Sequence, residues 1–84
     1  MTIIDVRTPG EFMGGHVEGS INISIRDIPT SIEDIKVMED VVVCCASGIR
    51  SMQAVAFLSQ NGVKAEDGGS WFNLVNNSKK LQYV

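Results

Sequence analysis

Val41-Val42-Val43-Cys44-Cys45-Ala46-Ser47-Gly48-Ile49-Arg50-Ser51 is the stretch whose reading decides the fold. Three β-branched valines with no polar alternation suit a central strand of a parallel sheet, buried on both sides. That strand is expected over residues 41–44. Met52, Val55 and Leu58, with Ala56 and Phe57 nearby, then mark one face of a helix from about residue 49 to 61, and Gly62 suits the left-handed cap that closes it. A strand, a short loop and a helix therefore follow one another. In open α/β sheets, ligands gather at the carboxyl ends of the strands, and Cys45 lies at such an end.

Working outward, Ile3-Ile4-Asp5-Val6 reads as a first strand. Thr8-Pro9-Gly10-Glu11 fits the S/T-x-x-E capping box with Pro9 at the first helical position, and Gly14-Gly15 ends that short helix. Ser20-Ile21-Asn22-Ile23 alternates as a second strand. Ile25, Ile28, Ile32 and Ile35 recur at spacings of three and four, which predicts a helix around residues 29–37 with Pro29 near its start. Residues 63–66 form a fourth, weaker strand, Gly68-Gly69 turns the chain, and Trp71-Phe72 with Leu74-Val75 makes a last apolar turn. Strands alternating with helices argue for a small parallel α/β sheet of four to five strands with helices on both faces.

The chain has 84 residues, room for one domain over residues 1–84, and 44% of them are apolar. No apolar run approaches the length of a membrane span. Net charge is −3 and no basic face is visible, so neither nucleic acid nor membrane is expected as a partner. Lys79-Lys80 reads as a solvated pair. No charged segment followed by an apolar core and a cleavage site opens the chain, which points to the cytoplasm; a mature periplasmic form would read the same. Two adjacent cysteines make at best a strained disulfide. With one histidine and no Cys-x-x-Cys, no metal site and no cofactor are expected.

The loop carries the chemistry. It leads into a helix, so unpaired backbone N–H groups point into it, and Gly48 lets several of them converge as an anion-binding nest. Such a nest lowers a thiol's pKa, and Arg50, if its side chain folds back, adds positive charge. The thiolate is the nucleophile. Cys44 should point to the other side of the strand, as a core residue.

These residues resemble the rhodanese-like family, whose pattern is a hydrophobic strand followed by Cys-x-x-Gly-x-Arg-Ser. Independently, Ile4-Asp5-Val6-Arg7-x-Pro9-x-Glu11-Phe12-x-x-Gly15-His16-Val17-x-Gly19-Ser20-Ile21-Asn22-Ile23 is similar to the family's first third. The resemblance implies a single-domain thiosulfate sulfurtransferase or persulfide carrier. Cys45 would be catalytic, and Ala46, Ser47, Gly48, Ile49 and Arg50 would form the substrate-binding loop whose amides hold the persulfide. The expected donor is thiosulfate or a persulfide. The acceptor is cyanide or a thiol, with a thioredoxin-like protein among the candidate partners. Asp5, Arg7, Glu11 and His16 are read as scaffold, His16 as a hydrogen-bonded structural histidine. Trp71 stands earlier than the family's tryptophan, and the loop offers thiosulfate few cationic side chains beyond Arg50.

Two other readings stand beside this one. Counted from Cys44, the loop is Cys44-x5-Arg50, the spacing of phosphatases and arsenate reductases of related fold. Cys45 is favoured because Cys44 continues the valine run and because Gly48 fits the family register only from Cys45. The other alternative is a non-catalytic module that uses the same fold for binding.

Overall fold

The computed structural model describes residues 1–75, so the Lys79-Lys80 pair lies outside the described residues. In chain order the elements are β1 (Thr2–Asp5), α1 (Pro9–Met13), β2 (Ile21–Asn22), a 3-10 helix (Ile25–Thr30), α2 (Ile32–Lys36), β3 (Val41–Cys45), α3 (Ile49–Gln60) and β4 (Glu66–Ser70). Residues 71–75 are again helical. The four strands form one sheet in the order β2-β1-β3-β4, and every pair is parallel. β3 is therefore central, as its valines predict.

The pleat sorts the side chains. Ile4, Val6, Val41, Val43 and Cys45 enter one core with Ile28, Ile35, Ala54 and Leu58. Ile4 stands beside Val43 and Asp5 beside Cys44, so Asp5 and Cys44 share the opposite face. Residues 71–75 cover that second face: Leu74 and Val42 both crowd Gly68, and Trp71 lies under the Arg7 guanidinium at 4.6 Å. The sheet thus has helical cover on both sides.

The capping box predicted at Thr8 is formed. Thr8 Oγ1 accepts the Glu11 N–H, and Glu11 Oε1 accepts the Thr8 N–H. Three expectations are corrected. The helix around residues 29–37 is split at Ser31 into a 3-10 helix and α2, although the isoleucines keep one face, with Ile28 and Ile35 fully buried. Pro29 has no N–H to continue an α-helical ladder through this segment. Met52 is 57% exposed; Ser51, Ala54 and Leu58 form the buried stripe of α3 instead.

The third correction concerns Gly68-Gly69, which lies inside β4 and makes no turn before it. β4 covers residues 66–70 where the sequence predicts 63–66. A register shift between Val43 and Cys44 accommodates a bulge, with Val43 opposite Asp67 and Cys44 opposite Gly69. A Cβ on Gly68 would stand 2.8 Å from Val42 Cγ1, so glycine is what allows β4 to approach β3 this closely.

Candidate functional site

Cys45 is the last residue of β3, and its side chain turns into the core face with no exposed surface. Above it the chain reverses through Ala46, Ser47 and Gly48 into α3. Ala46, Ser47 and Ile49 of this loop are exposed. The burial runs against a freely presented nucleophile. The direction of the amides, however, is the one the loop predicts.

Gly48 is the N-cap of α3. Its φ of +100° suits a residue without Cβ, and it has no side chain to accept an orphan N–H. Cys45 Sγ does so instead. It accepts the Gly48 N–H at 2.9 Å and the Ser51 N–H at 3.3 Å, Ser51 being the third helical residue. The sulfur thus occupies the place of a capping oxygen at a helix N-terminus, where negative charge is favoured. Burial is the largest single influence on the thiol and pushes its pKa up. The N–H groups of Ser51, Gly48 and Ser47 aimed at the sulfur pull it down, and the net position is below the usual thiol value.

Cys44 differs in every respect. It is fully buried on the other face, and burial, with Asp5 adding to it, pushes its thiol up to about 12. The Cys44-x5-Arg50 register places its nucleophile on the side of the sheet away from the Gly48 and Ser51 amides.

Arg50 does not fold back onto the sulfur. Its Nη1 and Nη2 donate to the two carboxylate oxygens of Glu11 at 2.7 and 2.9 Å. Arg50 still exchanges favourable charge with a Cys45 thiolate, but as a field and not through a hydrogen bond. Glu11, read from the sequence as a helix cap, therefore has two roles: it caps α1 and clamps α1 to the start of α3. Arg50 holds the Glu11 carboxyl well down, at about 2, with help from the Thr8 N–H.

The sign of the resulting pH effect follows from this depressed value. The ionised Glu11 contributes stability in full above its unfolded value near 4.5, and loses it as pH falls toward about 2. Glu11→Gln should therefore lower the denaturation midpoint at neutral pH, and the gap from the parent chain should close between pH 4.5 and 2. Urea titrations at stepped pH measure it; a gap independent of pH would show that the ion pair contributes nothing.

Asp5 and Arg7 pair with each other, at 2.7 Å between Asp5 Oδ2 and Arg7 Nη2, and Arg7 also donates to the Gly15 carbonyl. His16 is exposed, stacked on Phe12 and hydrogen-bonded through Nδ1 to the Phe12 carbonyl. None of these groups reaches the sulfur.

Ser51 and Asp67 are the members that sequence reading missed. Ser51 is fully buried, with its Oγ 3.5 Å from Cys45 Sγ, 3.0 Å from the Gly48 carbonyl and 2.7 Å from Asp67 Oδ1. Ser51 ends the Cys-x-x-Gly-x-Arg-Ser pattern, which was the available signal. Asp67 comes from β4 and has no local signal.

Among the described residues no helix is long and apolar enough to cross a membrane, and no cluster of three or more His, Cys, Asp or Glu side chains could hold a metal ion.

The family model described as Rhodanese-like domain matches residues 1–71. A sulfurtransferase of Allochromatium vinosum is 38% identical over 60 residues, which are 71% of this chain and 56% of that protein. Thiosulfate sulfurtransferase GlpE of Stutzerimonas stutzeri is 33% identical over 70 residues, 80% of this chain and 64% of that protein. The chain spans about half the length of the first curated relatives it matches. Among solved structures, a rhodanese-related protein of Thermoplasma volcanium superposes with a TM-score of 0.78 at 34% identity, over 92% of this chain and 77% of that one. A rhodanese with anions from E. coli gives 0.74 at 33%, over 83% and 86%. By its strand order, its loop and these matches, the chain belongs to the rhodanese-like domain family.

Proposed function

We propose that the domain is a sulfurtransferase that carries a sulfane sulfur on Cys45, taking it from thiosulfate or another sulfane donor and giving it to cyanide or a thiol. The observation that carries this reading is the convergence of the Gly48 and Ser51 N–H groups on Cys45 Sγ. The similarity to proteins named thiosulfate sulfurtransferase supports it.

The chemistry balances without a cofactor. The Cys45 thiolate attacks the outer sulfur of thiosulfate. The S–S bond of the donor breaks, sulfite leaves with its electron pair, and Cys45 retains an anionic persulfide. Attack by cyanide on the outer sulfur then releases thiocyanate and restores the thiolate; a thiol acceptor leaves as a persulfide. The helix-start amides that favour the thiolate also favour the negative charge passing through this site. Because Cys45 has no exposed surface, entry of the donor requires the groups that cover the sulfur to move.

The test is intact mass after incubation with thiosulfate, followed by peptide mapping. A gain of one sulfur atom, located on Cys45 and discharged by cyanide, is expected. No gain, or sulfur located on Cys44, would sink the reading. Hydrolysis of p-nitrophenyl phosphate in parallel would favour the phosphatase register instead.

A further inference from the structure

The Ser51 hydroxyl has one proton and three acceptors around it. Cys45 Sγ is 3.5 Å away, the Gly48 carbonyl 3.0 Å and Asp67 Oδ1 2.7 Å. A hydrogen bond to a carboxylate at 2.7 Å is short and charge-assisted. It outcompetes a contact to sulfur at 3.5 Å. The arrangement runs in one direction: the Cys45 thiol donates to Ser51 Oγ, and Ser51 donates to Asp67. Asp67 Oδ1 is fixed in turn by the Gly69 N–H at 2.9 Å, a bond made possible by the bulge that puts Gly68-Gly69 inside β4.

We propose that Asp67 is a positioning residue that holds the Ser51 proton away from Cys45, and so restrains the sulfur from giving up its own proton.

With Asp67 in place, a Cys45 thiolate keeps the Gly48 and Ser51 amides. It gains the Ser51 hydroxyl only by taking that proton from a carboxylate. A Cys45 persulfide does not compete, because its charge lies on the outer sulfur. The device therefore disfavours the free thiolate relative to both the thiol and the loaded state. A thiolate restrained in this way is also the more nucleophilic one once formed, and the poorer leaving group. The other charged or titratable groups whose charge Cys45 feels among the described residues are Arg50 at the start of α3, itself clamped by Glu11 of α1, and, across the sheet, its neighbour Cys44 on β3, which stands beside Asp5 of β1.

The inference rests on Cys45 being the reacting sulfur, but its test reads the thiol with no donor present, so the two can fail separately. Thiolate absorbance is titrated against pH, with the Cys45→Ser protein as the blank. Asp67→Asn keeps an oxygen for Ser51 and the Gly69 N–H but removes the charge. It should move the Cys45 midpoint down by roughly one pH unit. The same substitution in a Ser51→Ala background separates action through the hydroxyl from direct repulsion. There the shift should fall below half its size. No downward shift in the parent background, or a shift at least half as large without the hydroxyl, overturns the proposal.

Discussion

Cys45→Ser should abolish persulfide formation and sulfur transfer, leaving only the uncatalysed rate, while Cys44→Ala should keep both. The two side chains are adjacent in sequence and differ in environment. Cys45 Sγ receives two helix-start amides, and its thiol lies below the usual value; Cys44 is buried beside Asp5, and its thiol stands at about 12. Since the thiolate is the attacking species, the pH profile of sulfur loading distinguishes them as well. Loading through Cys45 should rise with pH and reach half its maximum below 9.0, the ordinary thiol value. Loading through Cys44 would keep climbing about tenfold per unit toward 12. Stopped-flow release of sulfite follows the rate. Retained loading in Cys45→Ser, or a half-maximum well above 9.0, would move the chemistry to the other cysteine.

The second large effect is on stability. Asp5→Ala should destabilise the domain by ~3–5 kcal/mol, because it leaves a buried guanidinium without its partner. Asp5 has no exposed surface and Arg7 only 4%. The Asp5 carboxylate accepts the Arg7 backbone N–H as well as Nε and Nη2, at 2.7–3.1 Å. Asp5→Ala therefore orphans three donors together. A domain of 84 residues has about 4–13 kcal/mol in total. The loss should lower Tm by about 12 °C or more. Asp5→Leu combined with Arg7→Met removes both charges, and should recover a large part of the loss, since a buried pair exchanged for apolar side chains is often close to neutral. Calorimetry on the three proteins checks this. A Tm for Asp5→Ala within 3 °C of the parent would mean that the pair is not sealed from water, contrary to its burial.

The sequence alone determined the features that act within a few residues. The valine run dictated a buried central strand, and β3 is paired on both sides. Thr8 and Glu11, three apart, specified a capping box that forms as read. Gly48 ahead of a helical stretch specified a helix start whose amides fall back on Cys45, three residues earlier. These are steric and hydrogen-bonding choices made inside one or two turns of chain, so a single stretch of sequence contains both partners.

Tertiary structure decided the partners that come from elsewhere. Arg50 is 39 residues from Glu11, and Ser51 is 16 from Asp67. No local pattern says that α1 meets α3, or that β4 presents a carboxylate to the Ser51 hydroxyl beside the sulfur. Glu66-Asp67-Gly68-Gly69-Ser70 has none of the β-branched residues that mark a strand, and becomes one because β3 offers it an edge and Gly68 lets it close. The exposure of Met52 and the burial of Cys45 were settled in the same way, by which face each element turned to the sheet once all four strands were paired. Short-range chemistry fixed where the sulfur and its amides would be; the packing of distant elements fixed which side chains control it.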